Sequence, residues 1–243
     1  MDRLIYLAMS GAKATLQRQD VLSHNLANAS TTGFRAEMAA FRAVPVRGDG
    51  ASTRVYALES TVGYDAQPGP ISTTGRSLDV ALKGNAWLAV QALDGTEAYT
   101  RAGAMDVNAE GLLVTPSGLP VLGDGGPITV PANAAVEIAT DGTITGKVGN
   151  ARPQQIGRLK MVTPEVPLNR GTDGLFRSAN GELPNDATAR LQSGALEGSN
   201  VSPVETMVAM ISAARQFEHQ MKMLQGAEQR EQVASKLLGP AGV

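Results

Sequence analysis

Few residues in this chain have the type and spacing that catalysis or metal binding requires. The two histidines, His24 and His219, both fall on segments that read as terminal helices. Neither belongs to an H-E-x-x-H motif or to another paired-ligand spacing. The chain has no cysteine, so a nucleophile–base pair would have to use one of these two histidines. We therefore expect both to be structural or exposed to solvent, and we expect the chain not to be an enzyme.

Carboxylates are the other candidates, because Asp94, Asp124, Asp141 and Asp173 could be imagined as a calcium site or as the acid pair of a glycan-cleaving enzyme. Each of these acids precedes a glycine, however, and Asp-Gly is a pair that type I′ hairpin turns favour. The glycine-rich run at residues 118–126 lacks the Lys-Ser/Thr ending of a phosphate loop. The sequence therefore predicts turns at these places, with no metal and no cofactor, and leaves a glycan-active enzyme as a weaker alternative.

Composition excludes several classes of partner. The net charge is −2 and the pI is near 5.7, and no cluster of Lys and Arg is present, which argues against binding to nucleic acid. No segment approaches the roughly 20 apolar residues that span a bilayer, so we expect no membrane insertion. The short apolar run near the N-terminus lacks the features of a secretory signal peptide. If the protein leaves the cytoplasm, we expect a route without a cleaved signal.

Both ends of the chain are predicted to be helical. At the N-terminal end, residues 3–28 place apolar and small side chains at alternating spacings of three and four, the pattern of a heptad seam. At the C-terminal end, Ser202-Pro203-Val204-Glu205 reads as a capping box with proline at the first helical position. Gly239-Pro240 supplies a stop signal.

The apolar stripes on these helices are wider than one partner helix would cover. The C-terminal stripe combines a seam with flanking positions: Val204, Met207, Val208, Met210, Ile211, Ala214, Phe217, Met221 and Leu224. The N-terminal stripe includes Leu4, Ile5, Ala8, Ala12, Leu22 and Leu26. Because apolar surface of this extent tends to mark an interaction site, we expect the helices to associate with other subunits as well as with each other.

The middle of the chain indicates antiparallel β structure. Alternating apolar runs flank the Asp-Gly pairs, most clearly around Asp141-Gly142, and no helical period interrupts residues 78–165. The fold class is therefore α+β, with paired terminal coiled-coil helices and a central, mainly antiparallel barrel or sandwich. We place an N-terminal helix in residues 1–35, a connector with short strands in residues 36–75, the β domain in residues 76–195 and a C-terminal helix in residues 196–243.

The stretch "NLANASTTGF" marks the end of the first helix. Asn25 and Asn28 share a helical face and could bond to backbone groups of neighbouring chains or cap their own helix. Gly33 permits a turn by tolerating positive φ, and Phe34 would anchor the outgoing chain on an apolar surface. Asn200, just before the second helix, is the expected counterpart.

These residues carry a resemblance to a known family. Residues 23–35, "SHNLANASTTGFR", and 196–218, "LEGSNVSPVETMVAMISAARQFE", are similar to the two signatures of the flagellar basal-body rod and hook family. Middle stretches such as "TTGRSLDVALKGNAWLAVQ" and "GLFRSANGE" resemble its β-domain motifs, although Ala86-Trp87-Leu88 stands where relatives often carry Gly-Phe-Phe. Within the family, the opening residues and the length look most like a proximal rod protein, and a distal rod protein is the alternative.

The resemblance implies a structural subunit of the rod, which crosses the periplasm and transmits torque. It implies export by the flagellar type III apparatus, and partners that are copies of itself and other rod proteins. Terminal helices would form the inner tube. The expected assembly interface joins the stripe residues above to Asn25, Asn28, Gly33, Phe34 and Asn200.

Overall fold

A computed structural model describes residues 2–45 and 55–238. The side chains of residues 2–7, 41–43, 45, 55–62, 231 and 234–238 lie outside that description. The chain forms two compact units. The helical unit consists of Met1–Ala27, Glu37–Tyr64 and Val201–Val243, and the strand unit consists of Asn28–Ala36 and Asp65–Asn200.

Two long helices belong to the helical unit, α1 (Asp2–Ala27) and α2 (Pro203–Leu238). The predicted start of α2 is confirmed, since Pro203 is its first residue and the Ser202 hydroxyl accepts the N–H of Glu205 at 3.5 Å. The predicted stop at Gly239-Pro240 lies outside the described residues. No helix in the described ranges is both long enough and apolar enough to cross a membrane.

Small side chains bring α1 and α2 close together. Ala8, Ala12 and Thr15 are buried on α1, and the Thr15 hydroxyl lies 3.4 Å from Oε1 of Gln220 on α2. A Cβ atom on Gly11 would lie only 2.8 Å from the side-chain nitrogen of Gln220. The buried and half-buried residues of α2 include a series at alternating spacings of four and three: Thr206, Met210, Ala213, Phe217, Gln220, Leu224 and Ala227. Small side chains of α1 therefore pack against both small and large side chains of α2.

The segment predicted as a connector instead contains a long antiparallel ribbon. Strands β1 (Glu37–Pro45) and β2 (Val55–Tyr64) pair from Glu37 with Tyr64 to Pro45 with Val55. A bulge interrupts the register between Ala40 and Phe41. The alanines of β1 weaken its strand signal, and this explains why the sequence suggests only short strands here.

The strand unit contains sixteen short strands. They are β3 (Ile71–Thr73), β4 (Val80–Leu82), β5 (Trp87–Gln91), β6 (Glu97–Thr100), β7 (Asp106–Val107), β8 (Leu113–Val114), β9 (Leu122–Gly123), β10 (Gly126–Pro127), β11 (Ala134–Ile138), β12 (Thr143–Val148), β13 (Gln154–Arg158), β14 (Met161–Val162), β15 (Asn169–Arg170), β16 (Phe176–Arg177), β17 (Leu191–Ser193) and β18 (Ala195–Glu197).

All of the described pairings are antiparallel, which confirms the β part of the predicted α+β class. The largest sheet has the order β14-β5-β6-β16-β15, and a second has the order β11-β12-β13. The barrel alternative is wrong, because no sheet among the described residues closes on itself. The reason is the shortness of the strands, many of which pair over only two or three residues.

The core of the strand unit centres on β5. Trp87, Leu88, Ala89 and Val90 are all buried, so this strand is covered on both faces. The Trp87 ring packs against Phe176 with centroids 4.6 Å apart. Its sequence is accordingly a continuous apolar run, the pattern of a strand that is buried on both faces.

Five hairpin loops of the strand unit share one geometry, at residues 92–96, 108–112, 115–119, 139–143 and 171–175. In the clearest case the N–H of Ala139 donates to the C=O of Thr143, and the N–H of Gly142 donates back to the C=O of Ala139. Gly142 has φ of 86°, whereas Asn133 is the only non-glycine residue with positive φ in the described ranges. These are three-residue loops with a type I turn and a glycine bulge. The predicted turns are therefore present, but the predicted type I′ geometry is wrong.

Candidate assembly site

An exposed apolar stripe runs along the first turns of α2. Val204, Met207, Val208 and Ile211 are 72%, 50%, 62% and 55% exposed. Their spacings of three, four and seven residues place them on one helix face. At about 100° per residue, the centre of this face lies about 150° from the seam that packs on α1. α1 therefore does not cover it.

The single wide stripe that the sequence suggests resolves into two groups. Met210, Ala214, Phe217 and Leu224 are half-buried, and on α1 Ala8 and Ala12 are buried while Leu22 and Leu26 are half-buried. The exposed group contains the four residues of the α2 stripe and Met221. The side chains of Leu4 and Ile5 lie outside the described part of the chain. Met9 and Leu16 add exposed apolar surface on α1, which the interface predicted from the sequence does not include.

Asn25 bonds within its own chain. Its Oδ1 accepts the N–H of Glu37 at 2.8 Å and its Nδ2 donates to the C=O of Glu37 at 2.9 Å. The side chain is buried in the helical unit. The sequence singled out this residue but did not identify Glu37 as its partner, and a contact of Asn25 with another subunit stays a prediction.

Asn28 and Asn200 make their described bonds inside the strand unit. The Asn28 amide oxygen accepts the hydroxyl of Thr31 at 3.2 Å. Asn200 accepts the N–H of Ala36 at 2.6 Å and donates to the C=O groups of Asp65 and Gln67. Asn200 therefore ties together two segments of the unit that are far apart in sequence.

Gly33 and Phe34 occupy tight positions in the strand unit. Gly33 has φ of 69°, as the sequence predicted, and a Cβ atom there would lie 2.3 Å from the carbonyl carbon of Arg101. Phe34 is buried, and the guanidinium of Arg170 lies 4.5 Å from its ring centre. Both residues are therefore enclosed within this unit, and a role for them at an interface stays a prediction.

A buried ionic cluster, which the sequence did not reveal, lies beside them. Oε1 of Glu197 is 2.7 Å from Arg35 Nη2, and Oε2 accepts Nε–H of Arg101 at 2.9 Å. All three side chains are at most 3% exposed. Arg101 also donates to three backbone carbonyls, those of Leu82, Gly84 and Ala86. One carboxylate thus pairs with two guanidinium groups taken out of water.

The two arginines are not equally well accommodated. Arg35 donates to the C=O of Gln67, but its Nε has no hydrogen-bond partner in the described residues. Burial lowers the pKa of Arg35, and this effect outweighs the attraction of Glu197. No spacing in the sequence joins Arg35, Arg101 and Glu197, since only folding brings them together.

The residues weighed for catalysis have structural partners or lie at the surface. His24 Nδ1 is 2.8 Å from a carboxylate oxygen of Glu37, and His219 is exposed. Asp94 and Asp141 accept hydrogen bonds from Thr96 and Thr143, and these bonds lower the pKa of each carboxyl. No group of three metal-ligating side chains occurs in the part of the chain that the structure describes.

A surface cavity of about 530 Å³ in the strand unit contains two glutamates, Glu97 and Glu182. Glu97 is 2.6 Å from Lys160 Nζ and accepts the Tyr99 hydroxyl at 2.8 Å. Both carboxylate oxygens of Glu97 are therefore engaged by side chains of the same unit, one by Tyr99 and the other by Lys160.

Comparisons with known proteins identify the family of the chain. Three family models match in order: "Flagella basal body rod protein" over residues 5–35, "Flagellar hook protein FlgE/F/G D1 domain" over residues 81–146, and "Flagellar basal body rod FlgEFG protein C-terminal" over residues 192–237.

Full-length relatives give the same result. The chain is 48% identical to the flagellar basal-body rod protein FlgF of Salmonella typhimurium, over 98% of this chain and 99% of that one. It is 47% identical to FlgF of Escherichia coli over the same shares. It is 31% identical to the flagellar basal-body rod protein FlgG of Agrobacterium fabrum, over 97% of this chain and 99% of the relative. The chain therefore belongs to the flagellar basal-body rod protein family, and these comparisons place it nearer to FlgF than to FlgG.

Proposed function

We propose that this protein is a structural subunit of the proximal part of the flagellar basal-body rod. The observation that carries the proposal is the 48% identity to a rod protein over 98% of the chain. Its role is mechanical, and no chemical step is assigned to it. The distal rod alternative is disfavoured, because the FlgG relative is only 31% identical.

Assembly would use the terminal helices. The seam between α1 and α2 would continue as a coiled coil, and its alternating spacings of four and three residues support this geometry. The stripe of Val204, Met207, Val208 and Ile211 would then be covered by helices of neighbouring subunits. Repeated contacts of this kind that do not close into a ring build a helical shaft.

The partners would be copies of this chain and other rod proteins, and the location would be the basal-body rod in the periplasmic space. Delivery would use the flagellar type III apparatus without a cleaved signal peptide. The absence of cysteine supports this location, because an oxidising compartment cannot cross-link such a chain.

Substitution in the α2 stripe tests the proposal. Ile211→Lys places a charge among exposed apolar side chains, and Met223→Lys makes the same change at a residue that is equally exposed, 55% in each case. Met223 lies about 110° around the helix from the centre of the stripe. Both variants would be expressed in a flagellated strain that lacks its own copy of the gene. Purified basal bodies would then be probed for the subunit by immunoblotting.

We expect Ile211→Lys to be lost from basal bodies and Met223→Lys to be retained. Circular dichroism of the purified chains should show equal helix content, because both positions face solvent in the isolated chain. Retention of Ile211→Lys at the wild-type level would contradict assembly through this stripe.

A further inference from the structure

We propose that Asn25 is a positioning residue, which holds the start of the β1–β2 ribbon against the last turn of α1. The amide of Asn25 binds both backbone groups of one residue, Glu37, at 2.8 and 2.9 Å. Glu37 is the first residue of β1. Asn25 is 6% exposed, so solvent does not compete for these bonds.

The register of the ribbon explains why Glu37 is available. Glu37 is paired with Tyr64, and the N–H of Asp65 donates to the C=O of Ala36 at 2.8 Å. This bond identifies Glu37–Tyr64 as a non-hydrogen-bonded pair of the antiparallel ladder. The N–H and C=O of Glu37 therefore point away from β2, toward the outer edge of the ribbon. The Asn25 amide takes the place there that a further strand would occupy.

A second contact acts on the same residue. His24, which precedes Asn25 on α1, lies 2.8 Å from the carboxylate of Glu37. This pair is partly exposed, and exposed ion pairs contribute little free energy. The two hydrogen bonds between the Asn25 amide and the backbone of Glu37 are therefore the stronger contact. His24 restricts the Glu37 side chain.

Helix propensity alone predicts a different effect of replacing Asn25, and this difference makes the proposal testable. Asparagine is a poor helix former and alanine the best one. If Asn25 were only a residue of α1, Asn25→Ala would strengthen the helix and leave the ribbon unchanged. If Asn25 positions the ribbon, the same change leaves the two half-buried backbone groups of Glu37 without their partner and loosens the start of β1.

Hydrogen–deuterium exchange on the full-length chain distinguishes these cases, at a concentration where circular dichroism shows the helices formed. We expect Asn25→Ala to increase exchange of the peptide containing Glu37 by about 10-fold or more, with unchanged helix content. Asn25→Asp keeps the acceptor and loses the donor, so its increase should be intermediate. Ser23→Ala, on the exposed side of the same turn, should match the wild type.

Two results would overturn the inference. One is an Asn25→Ala chain whose Glu37 peptide exchanges at the wild-type rate. The other is a loss of helix content in the same variant, since Asn25 would then act on α1 itself.

The consequence for assembly rests on the proposed function. A loosened ribbon should reduce incorporation of Asn25→Ala into basal bodies at least several-fold, while Ser23→Ala incorporates normally. Normal incorporation of Asn25→Ala beside failed incorporation of Ile211→Lys would remove the assembly role of Asn25 and leave the rod assignment intact. Normal incorporation of both variants would count against assembly through the stripe as well.

Discussion

Replacing Glu197 by glutamine should destabilise the strand unit strongly. The change removes the carboxylate that pairs with both Arg35 and Arg101, whose side chains are at most 3% exposed. Breaking a buried ion pair by removing one partner costs about 3–5 kcal/mol. This is a large part of the roughly 5–15 kcal/mol that stabilises a typical domain. For a unit of this size, each kcal/mol lowers Tm by about 2–4 °C, so we expect a decrease of about 6–20 °C.

The single tryptophan provides the assay. Trp87 is 2% exposed inside the strand unit, so its fluorescence follows unfolding of that unit separately from the helices. Thermal unfolding of the full-length Glu197→Gln chain would be compared with Glu165→Gln, which makes the same change at an exposed acid of the same unit. A Tm for Glu197→Gln within 2–3 °C of the control would refute the reasoning, since the buried charges would then cost about 1 kcal/mol or less.

Other perturbations of the strand unit have equally definite outcomes. Gly33→Ala should cost at least 2 kcal/mol or so, because alanine is strained at positive φ and its Cβ would overlap backbone atoms. Tyr99→Phe should cost about 1 kcal/mol in the free energy of unfolding, because it leaves the half-buried N–H of Leu183 without its acceptor. Hydrogen bonds from Thr163 and Thr188 lower the pKa of Asp186 to about 2 from its ordinary 3.8. The stabilisation that Asp186 contributes is therefore complete above about pH 4 and is lost as the pH falls toward 2.

Urea unfolding followed by Trp87 fluorescence checks each of these results. Gly157→Ala is the control for the glycine, because Gly157 has open space around it. Asp186→Asn should remove part of the loss of stability between pH 4 and pH 2. Equal acid sensitivity of wild type and Asp186→Asn would show that other carboxylates control that transition, and an unchanged unfolding midpoint in Tyr99→Phe would contradict its assigned bond.

The sequence predicted the elements that depend on local patterns. The Ser202 cap and Pro203 identify the start of α2, and the alternation around Asp141-Gly142 identifies a hairpin. These elements could be predicted because a few neighbouring residues determine each of them.

Features that depend on distant residues were missed. Glu197 meets Arg35 and Arg101 only in the folded strand unit, and Asn25 meets Glu37 across a turn of the chain. The sequence marked Asn25 as unusual because of its poor helix propensity, but a single residue type cannot specify its partner. The sequence predicted a wide apolar stripe on α2. The division of that stripe into a packed seam and an exposed face could be seen only once the position of α1 was known.

The five glycine-bulge hairpins have a consequence for how the polypeptide acquires its structure. Each loop closes between residues only four apart, so these contacts have low sequence separation and should form early. The pairings of β3 with β18 and β4 with β17 join residues more than a hundred positions apart and should form last. Because both of these late pairings lie inside the strand unit, the strand unit can complete its folding before α1 and α2 contact other subunits.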